Sequence, residues 1–235
     1  MKIQGSIALV TGANRGLGAA FARALLAAGV AKVYAAARDP STVTEPGVVP
    51  VRLDVTRPDQ IEALARELGD VNLLVNNAGI GGAGPVLAPG SIDVLHRLFE
   101  TNAVGPLRMT QAFAPILAAR SCSAVINVIS VLSWATLPGI TGNYSASKAS
   151  AWALSNAMRQ ELKAQGTEVL SLHVGPIDTD MARGMPGSKI SPDEVARLTI
   201  AALEAGQSEL LADDITRSVH AGLTAVPPMY LGMLG

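Results

Sequence analysis

Short apolar runs alternate with longer Ala- and Leu-rich segments along most of the chain. Ile7–Val10, Lys32–Ala37, Val48–Leu53, Val71–Val75, Ala124–Ile129, Glu168–His173 and Glu209–Ala212 read as strands. Most are continuously apolar rather than alternating, as strands covered on both faces are. Between them, Leu17–Ala28, Asp59–Leu68, Ser91–Phe99, Ala103–Ala119, Tyr144–Gln165 and Pro192–Ala205 have helix-forming composition. Gly29 is placed to end the first helix, and Pro58 to start the second. This alternation predicts an α/β fold, a doubly wound parallel sheet with helices on both faces. No repeat, low-complexity stretch or linker interrupts it, so residues 1–235 are expected to form a single domain.

Composition narrows the picture. The 235 residues are 49% hydrophobic and 16% charged, enough for a sizeable core under a lightly charged surface. A formal net charge of −1 offers no electrostatic footprint for nucleic acid or an anionic membrane. Cys122 is the only cysteine, so no disulfide framework exists. The N-terminus MKIQGSIALV lacks a signal-peptide pattern, and no apolar run is long enough to span a bilayer. A cytoplasmic protein is expected. His96, His173 and His220 show no ligand spacing and Cys122 is remote from them, so no catalytic metal is expected. His173, in a buried-looking strand, reads as structural.

The chemistry starts at TGANRGLG, Thr11–Gly18, directly between a strand and a helix. Glycines there allow a tight turn and let backbone approach a pyrophosphate, which the helix N-terminus then stabilises. Further along stand Asn76-Asn77-Ala78-Gly79, Asn127-Val128-Ile129-Ser130, Tyr144-Ser145-Ala146-Ser147-Lys148 and Gly175-Pro176-Ile177-Asp178-Thr179. Together, from residue 5 to about 213, these motifs resemble the classical short-chain dehydrogenase/reductase family. The resemblance implies a single-domain Rossmann fold and an oxidoreductase that binds a nicotinamide dinucleotide.

It also implies a cofactor site made by Gly12, Asn14, Arg15, Gly16, Leu17, Gly18, Arg38, Asp54, Val55, Asn76, Ala78, Gly79, Tyr144, Lys148, Pro176, Ile177 and Thr179. Asp54 and Val55 would lie against adenine, although Asp54 or Thr56 could instead cap the next helix. Asn76 and Gly79 would line the cleft near the ribose. Ile177 would contact the carboxamide through its backbone, and Thr179 the carboxamide or pyrophosphate, with Asp178 and Asp180 facing solvent. Arg38 ends the second strand, where NAD-preferring relatives usually carry Asp. With Arg15 it could clamp a 2′-phosphate through charge-assisted bonds. NADPH is therefore expected, with NADH the less favoured cofactor, and Asp39 is the counter-argument.

Tyr144 and Lys148 lie four apart on one helix face. Carbonyl reduction needs hydride on carbon and a proton on oxygen. A neighbouring ammonium favours the phenolate and makes tyrosine a better proton shuttle. By resemblance Tyr144 is the proton donor, Lys148 also holds the nicotinamide ribose, and Ser130 polarises the carbonyl. Asn102 would sit at a local helix distortion and hold a water linked to Lys148. Ser130 lies fourteen residues before Tyr144, one further than is usual in the family. Ser133 is the alternative.

On the substrate side, only a short loop, Met181–Ile190, precedes the next helix, so a small cover and an open pocket for bulky or varied carbonyls are expected. Trp134, Leu137, Met181 and Met185 are candidate pocket residues, with Trp134 equally a packing residue. Asp213–Gly235 reads as a tail lying over the cleft or on another subunit. The two longest helices are the expected homodimer face, with a tetramer as alternative. The leading function is an NADPH-dependent carbonyl reductase acting on an aldehyde or ketone. The alternatives are an alcohol dehydrogenase working oxidatively and a non-catalytic NADP(H)-binding regulator.

Overall fold

The computed structural model describes residues 1–231. Seven strands, β1 (Ile7–Thr11), β2 (Lys32–Ala37), β3 (Val49–Arg52), β4 (Leu73–Asn76), β5 (Ser123–Val128), β6 (Thr167–His173) and β7 (Glu209–Leu211), form one sheet. Their order is β3-β2-β1-β4-β5-β6-β7, and every pairing is parallel. The helices are α1 (Gly16–Ala27), α2 (Pro58–Glu67), α3 (Ser91–Phe99), α4 (Gly105–Ala118), α5 (Gly142–Leu162), α6 (Pro192–Glu204) and α7 (Asp214–Gly222). The expected doubly wound Rossmann architecture is the one observed.

Strand periodicity divides the core into two layers. Ala8, Val10, Leu73 and Val75 point to one face, where Phe21 and Leu25 of α1 and Val195 and Leu203 of α6 cover them. Leu9, Leu74 and Val125 point to the other, against Phe113 and Leu117 of α4 and Met158 of α5. Residues next to each other in one strand thus serve opposite layers, which explains the unbroken apolar runs.

Strand order reverses between β1 and its neighbours β2 and β4. The crevice outside the strand C-termini at such a reversal is where open α/β sheets hold their ligands. The glycine loop leaves β1 there, and the loops after β4, β5 and β6 leave the same sheet edge.

One local difference from expectation stands out. The segment read as a tail from Asp213 begins with a helix, α7, whose N-cap Asp213 accepts from Thr216 N at 2.7 Å. Asp213 also accepts from Gly175 N at 2.6 Å, tying α7 to the end of β6. Val219 of α7 and Met229 pack with Trp134 and Trp152, so this part of the C-terminal segment belongs to the fold. Of the stretch Pro227–Gly235, residues 232–235 lie outside the described region. Among the described residues no helix is long and apolar enough to cross a membrane.

Phe21 of α1 is fully buried against the sheet. Phe21→Ala should cost about 3–5 kcal/mol of unfolding free energy. Urea denaturation checks this, with an unchanged m-value expected for a cavity that leaves the fold intact.

Candidate active site

The glycine loop is held from below. Thr11 Oγ1 donates to Val75 O at 3.2 Å and accepts from Asn77 N at 3.0 Å and Ala78 N at 2.9 Å. Asn77 Nδ2 donates to Thr11 O at 2.8 Å and Gly12 O at 3.2 Å. Gly12 and Gly16 have φ of 66° and 54°, where a side chain is strained. Gly18 is needed for space, because a Cβ there would stand 2.1 Å from Gly12 O. The N-cap of α1, Arg15, makes no side-chain cap bond, and the first turn carries no acid. That leaves backbone N–H groups and the positive helix end directed outward, as an anion needs. Thr179 lies beside this turn, its Cγ2 3.3 Å from where a Gly16 Cβ would be. These features fit a dinucleotide's pyrophosphate.

The second half of the site is built on α5. Tyr144 is half-buried in its first turn. Lys148, one turn on, is buried and donates to Val128 O at 3.0 Å, at the end of β5. Its Nζ lies 5.9 Å from the centre of the Tyr144 ring. Gly79 lies beside it and leaves room for Asn102, since a Cβ there would stand 3.2 Å from Asn102 Oδ1 and 3.8 Å from Lys148 Nζ. Asn102 sits in a π-helical stretch, Glu100–Val104, between α3 and α4. The wide turn lets its side chain accept from Ile80 N at 2.9 Å and donate to Ile80 O at 3.0 Å and Ser147 Oγ at 3.1 Å. Ser147 Oγ in turn donates to Tyr144 O at 2.7 Å, so the loop after β4, the π turn and α5 are locked together.

The two candidate serines are in different settings. Ser130 Oγ accepts from Leu132 N at 3.1 Å, and its side chain also interacts with the Tyr144 phenol. Ser133 turns away, donating to Ser130 O at 2.7 Å and lying 3.3 Å from His173 Nδ1. Ser130 is therefore the serine that faces the tyrosine.

The sequence matches the short chain dehydrogenase family over residues 6–188. The chain is a classical short-chain dehydrogenase/reductase. It is 40% identical over 183 residues to the short-chain dehydrogenase ptmH of Penicillium ochrochloron, an alignment covering 73% of this chain and 65% of that protein. The chain thus spans about two thirds of the length of that curated relative. It is 32% identical over 194 residues to the 3-oxoacyl-[acyl-carrier-protein] reductase FabG of Salmonella typhimurium, covering 79% of each. A short chain dehydrogenase from Burkholderia cenocepacia J2315, crystallised with NADP, superposes with a TM-score of 0.94 at 37% identity over 100% of both chains.

Within this short-chain dehydrogenase, several positions differ from expectation. Asn76 does not face the cleft. Its Nδ2 donates to Asn127 Oδ1 at 2.9 Å and Thr110 Oγ1 at 3.2 Å, inside the β4–β5–α4 layer. Its neighbour Asn77 meets the glycine loop instead, since successive strand side chains point to opposite sides. Neither Asp54 nor Thr56 caps α2. Arg57 holds the N-cap position, and Asp54 Oδ1 accepts from Thr56 N at 2.9 Å and Thr56 Oγ1 at 2.7 Å. Burial opposes the Asp54 charge, yet these bonds and the nearby Arg38 and Arg57 charges hold its carboxyl below the usual value. Val55 is buried, its Cγ2 3.0 Å from where a Gly105 Cβ would be. Trp134 is a packing residue, stacked on His173 at 4.0 Å and edge-on to Trp152. His173 is fully buried, with Nε2 3.1 Å from Glu209 Oε1, in keeping with its structural reading. Among the described residues no group of three or more His, Cys, Asp or Glu side chains could hold a metal ion.

The cations at the cofactor end are well separated from the core. Arg38 is exposed at the end of β2. Arg15 is 72% exposed and reaches Asp180 Oδ2 at 3.5 Å across the cleft mouth. Asp178 and Asp180 are exposed, as expected. Arg52 of β3 pairs in register with Ala37 and donates to Arg38 O at 3.3 Å. Asp39 is occupied, accepting from Ser41 N at 3.1 Å and Ser41 Oγ at 2.8 Å.

Burial dominates the electrostatics of the Tyr–Lys pair. It pushes the Tyr144 phenol up to about 12, with the Ser130 hydroxyl pulling the other way. It draws Lys148 down to about 8 from the usual 10.5. The lowering of the phenol expected from Lys148 is not seen in the protein alone, where burial raises it. A lysine whose folded pKa is depressed binds fewer protons in the folded than in the unfolded state over about pH 8–10.5. Stability therefore rises with pH through that window. Urea unfolding at about pH 7.5 and 9.5 should show a gain of about 2 kcal/mol in the wild type, absent in Lys148→Met.

Proposed function

We propose that the protein is an NADPH-dependent carbonyl reductase, reducing an aldehyde or ketone with Tyr144 as proton donor. The observation that carries this reading is the convergence of Tyr144, Ser130 and Lys148 at the sheet edge that also holds the uncapped glycine-loop helix. The cofactor, when bound, supplies the hydride to the carbonyl carbon.

The chain's own residues do the rest. Backbone from Gly12, Asn14, Arg15, Gly16, Leu17 and Gly18 takes the pyrophosphate at the start of α1. Asp54 and Val55 border the adenine. Ala78 and Gly79 line the ribose region, and Pro176, Ile177 and Thr179 the carboxamide. Lys148 orients the nicotinamide ribose, and Asn102 holds the loop at Ile80 against the π turn. Ser130 donates to the carbonyl oxygen and Tyr144 protonates it. Burial keeps the phenol protonated at neutral pH, as the donor in reduction must be. The same hydroxyl would act as the base in the oxidative direction. As the proton leaves, Lys148 lies 5.9 Å from the ring to stabilise the phenolate.

NADPH is favoured over NADH because Arg38 is exposed with Arg52 beside it, while the competing Asp39 is engaged by Ser41. The Burkholderia cenocepacia relative, crystallised with NADP, adds support. The outer faces of α4 and α5, where Gln111, Pro115, Ala146, Ala153 and Ala157 stand exposed, are the proposed homodimer surface.

Consumption of NADPH and of NADH, followed by near-ultraviolet absorbance against aldehydes, aryl ketones, diketones and quinones, tests the reading. Tyr144→Phe should lower turnover by about 1,000-fold or more while cofactor affinity stays nearly unchanged. A variant that kept the wild-type rate would remove Tyr144 from the chemistry. Arg38→Asp should weaken NADPH by about 100-fold and leave NADH within a few-fold, measured by fluorescence titration. Equal losses for both cofactors would rule out the phosphate contact.

A further inference from the structure

Three loops leave the C-terminal sheet edge around Tyr144, and two of them carry no charge at all. The loop after β4, residues 77–90, reads NAGIGGAGPVLAPG, and the loop after β5, residues 129–141, reads ISVLSWATLPGIT. Neither contains Asp, Glu, Lys, Arg or His. Surface loops are where charged residues normally concentrate, so two uncharged loops facing one site need a reason.

Large apolar side chains stand exposed on these loops. Ile80 is 36% exposed, Leu137 36% and Ile140 50%. Ile80 follows Gly79, which lies against Lys148, and its backbone is held by Asn102. Ile140 is four residues before Tyr144, and its carbonyl accepts from Gly84 N at 2.8 Å, joining the two loops. Leu137 O accepts from Ile140 N at 3.1 Å and Thr141 N at 3.2 Å, which presents Leu137 on the same turn. From the third loop, Met181 is 53% exposed and crosses to the first, its Cγ 3.4 Å from where a Gly81 Cβ would be. Exposed apolar side chains thus stand as a rim on the linked loops that border the Tyr144 end of α5.

Charges do occur on the third loop, but they are directed elsewhere. Asp180 is paired with Arg183 and reaches Arg15 of the glycine loop at 3.5 Å. Lys189 shares its surroundings with Asp178 and Asp180 rather than with the apolar rim. An anionic substrate would lose water at the rim without gaining a cation there, whereas an apolar one would lose only unfavourable hydration.

We propose that the substrate is an uncharged, predominantly apolar aldehyde or ketone, gripped by Ile80, Leu137, Ile140 and Met181, and that carbonyl compounds placing an anionic group against these side chains are rejected. This rests on the carbonyl-reductase reading and deepens it.

A matched pair tests it: para-ethylacetophenone and the para-carboxylate of acetophenone, similar in size and differing in charge. Each is assayed with NADPH, and its binding to the NADPH-loaded protein is measured separately by saturation-transfer NMR. The neutral ketone should show kcat/KM about 100-fold above the carboxylate, and binding at least about 10-fold tighter. Ile140→Lys, at an exposed position that tolerates a long side chain, should narrow the difference by about 10-fold. Leu137→Lys provides a second rim variant with the same expected direction. Equal or faster turnover of the carboxylate by the wild type, or equal binding, would overturn the inference and leave the reductase reading intact. Selective binding of the neutral ketone without reduction would do the reverse, supporting the apolar rim and removing the reductase.

Discussion

The close approach of the α1 N-terminus to the end of β1 is the constraint on which the rest of the cofactor cleft depends. It exists only because Gly18 has no side chain, since any Cβ would run into Gly12 O at 2.1 Å. Thr11 and Asn77 then fasten the loop to β4, so that the uncapped helix end is fixed against the neighbouring strand at the point where strand order reverses. Without that approach the helix dipole and its free N–H groups would not converge on the crevice.

The Tyr144–Lys148 half of the site hangs from the same sheet by a different device. Asn102 sits in a π turn, and the widened turn is what lets one side chain hold both backbone groups of Ile80 and the Ser147 hydroxyl. α5 is thereby locked to the loop that carries Gly79, and Lys148 is directed to Val128 O instead of solvent. Burial raises the phenol and lowers the ammonium of this pair. The exposed apolar side chains proposed to select the substrate stand on these same loops.

Much of this was legible in the chain. Alternating apolar runs and helical segments predicted every strand within a few residues, because continuous apolarity reports burial on both faces. What escaped were features decided by partners distant in sequence. α7 is not apparent in the segment from Asp213, because part of what fixes it, the bond from Gly175 N to Asp213, comes from the end of β6. Asn76 and Asn77 are adjacent and chemically identical, and only their alternation across the end of β4 shows which one meets the glycine loop. The choice between Ser130 and Ser133 likewise turned on side-chain direction, with Ser133 drawn towards His173.

By itself, the sequence determined the fold class, the glycine loop and its helix, and the shared helix face of Tyr144 and Lys148, since these follow from local spacing and periodicity. Only the tertiary structure decided which asparagine serves the loop, which serine faces the phenol, that Asp39 is engaged by Ser41, and that uncharged loops from two strands meet around the site. Those outcomes depend on groups brought together from residues far apart in the chain, where orientation and desolvation, rather than residue type, set the chemistry.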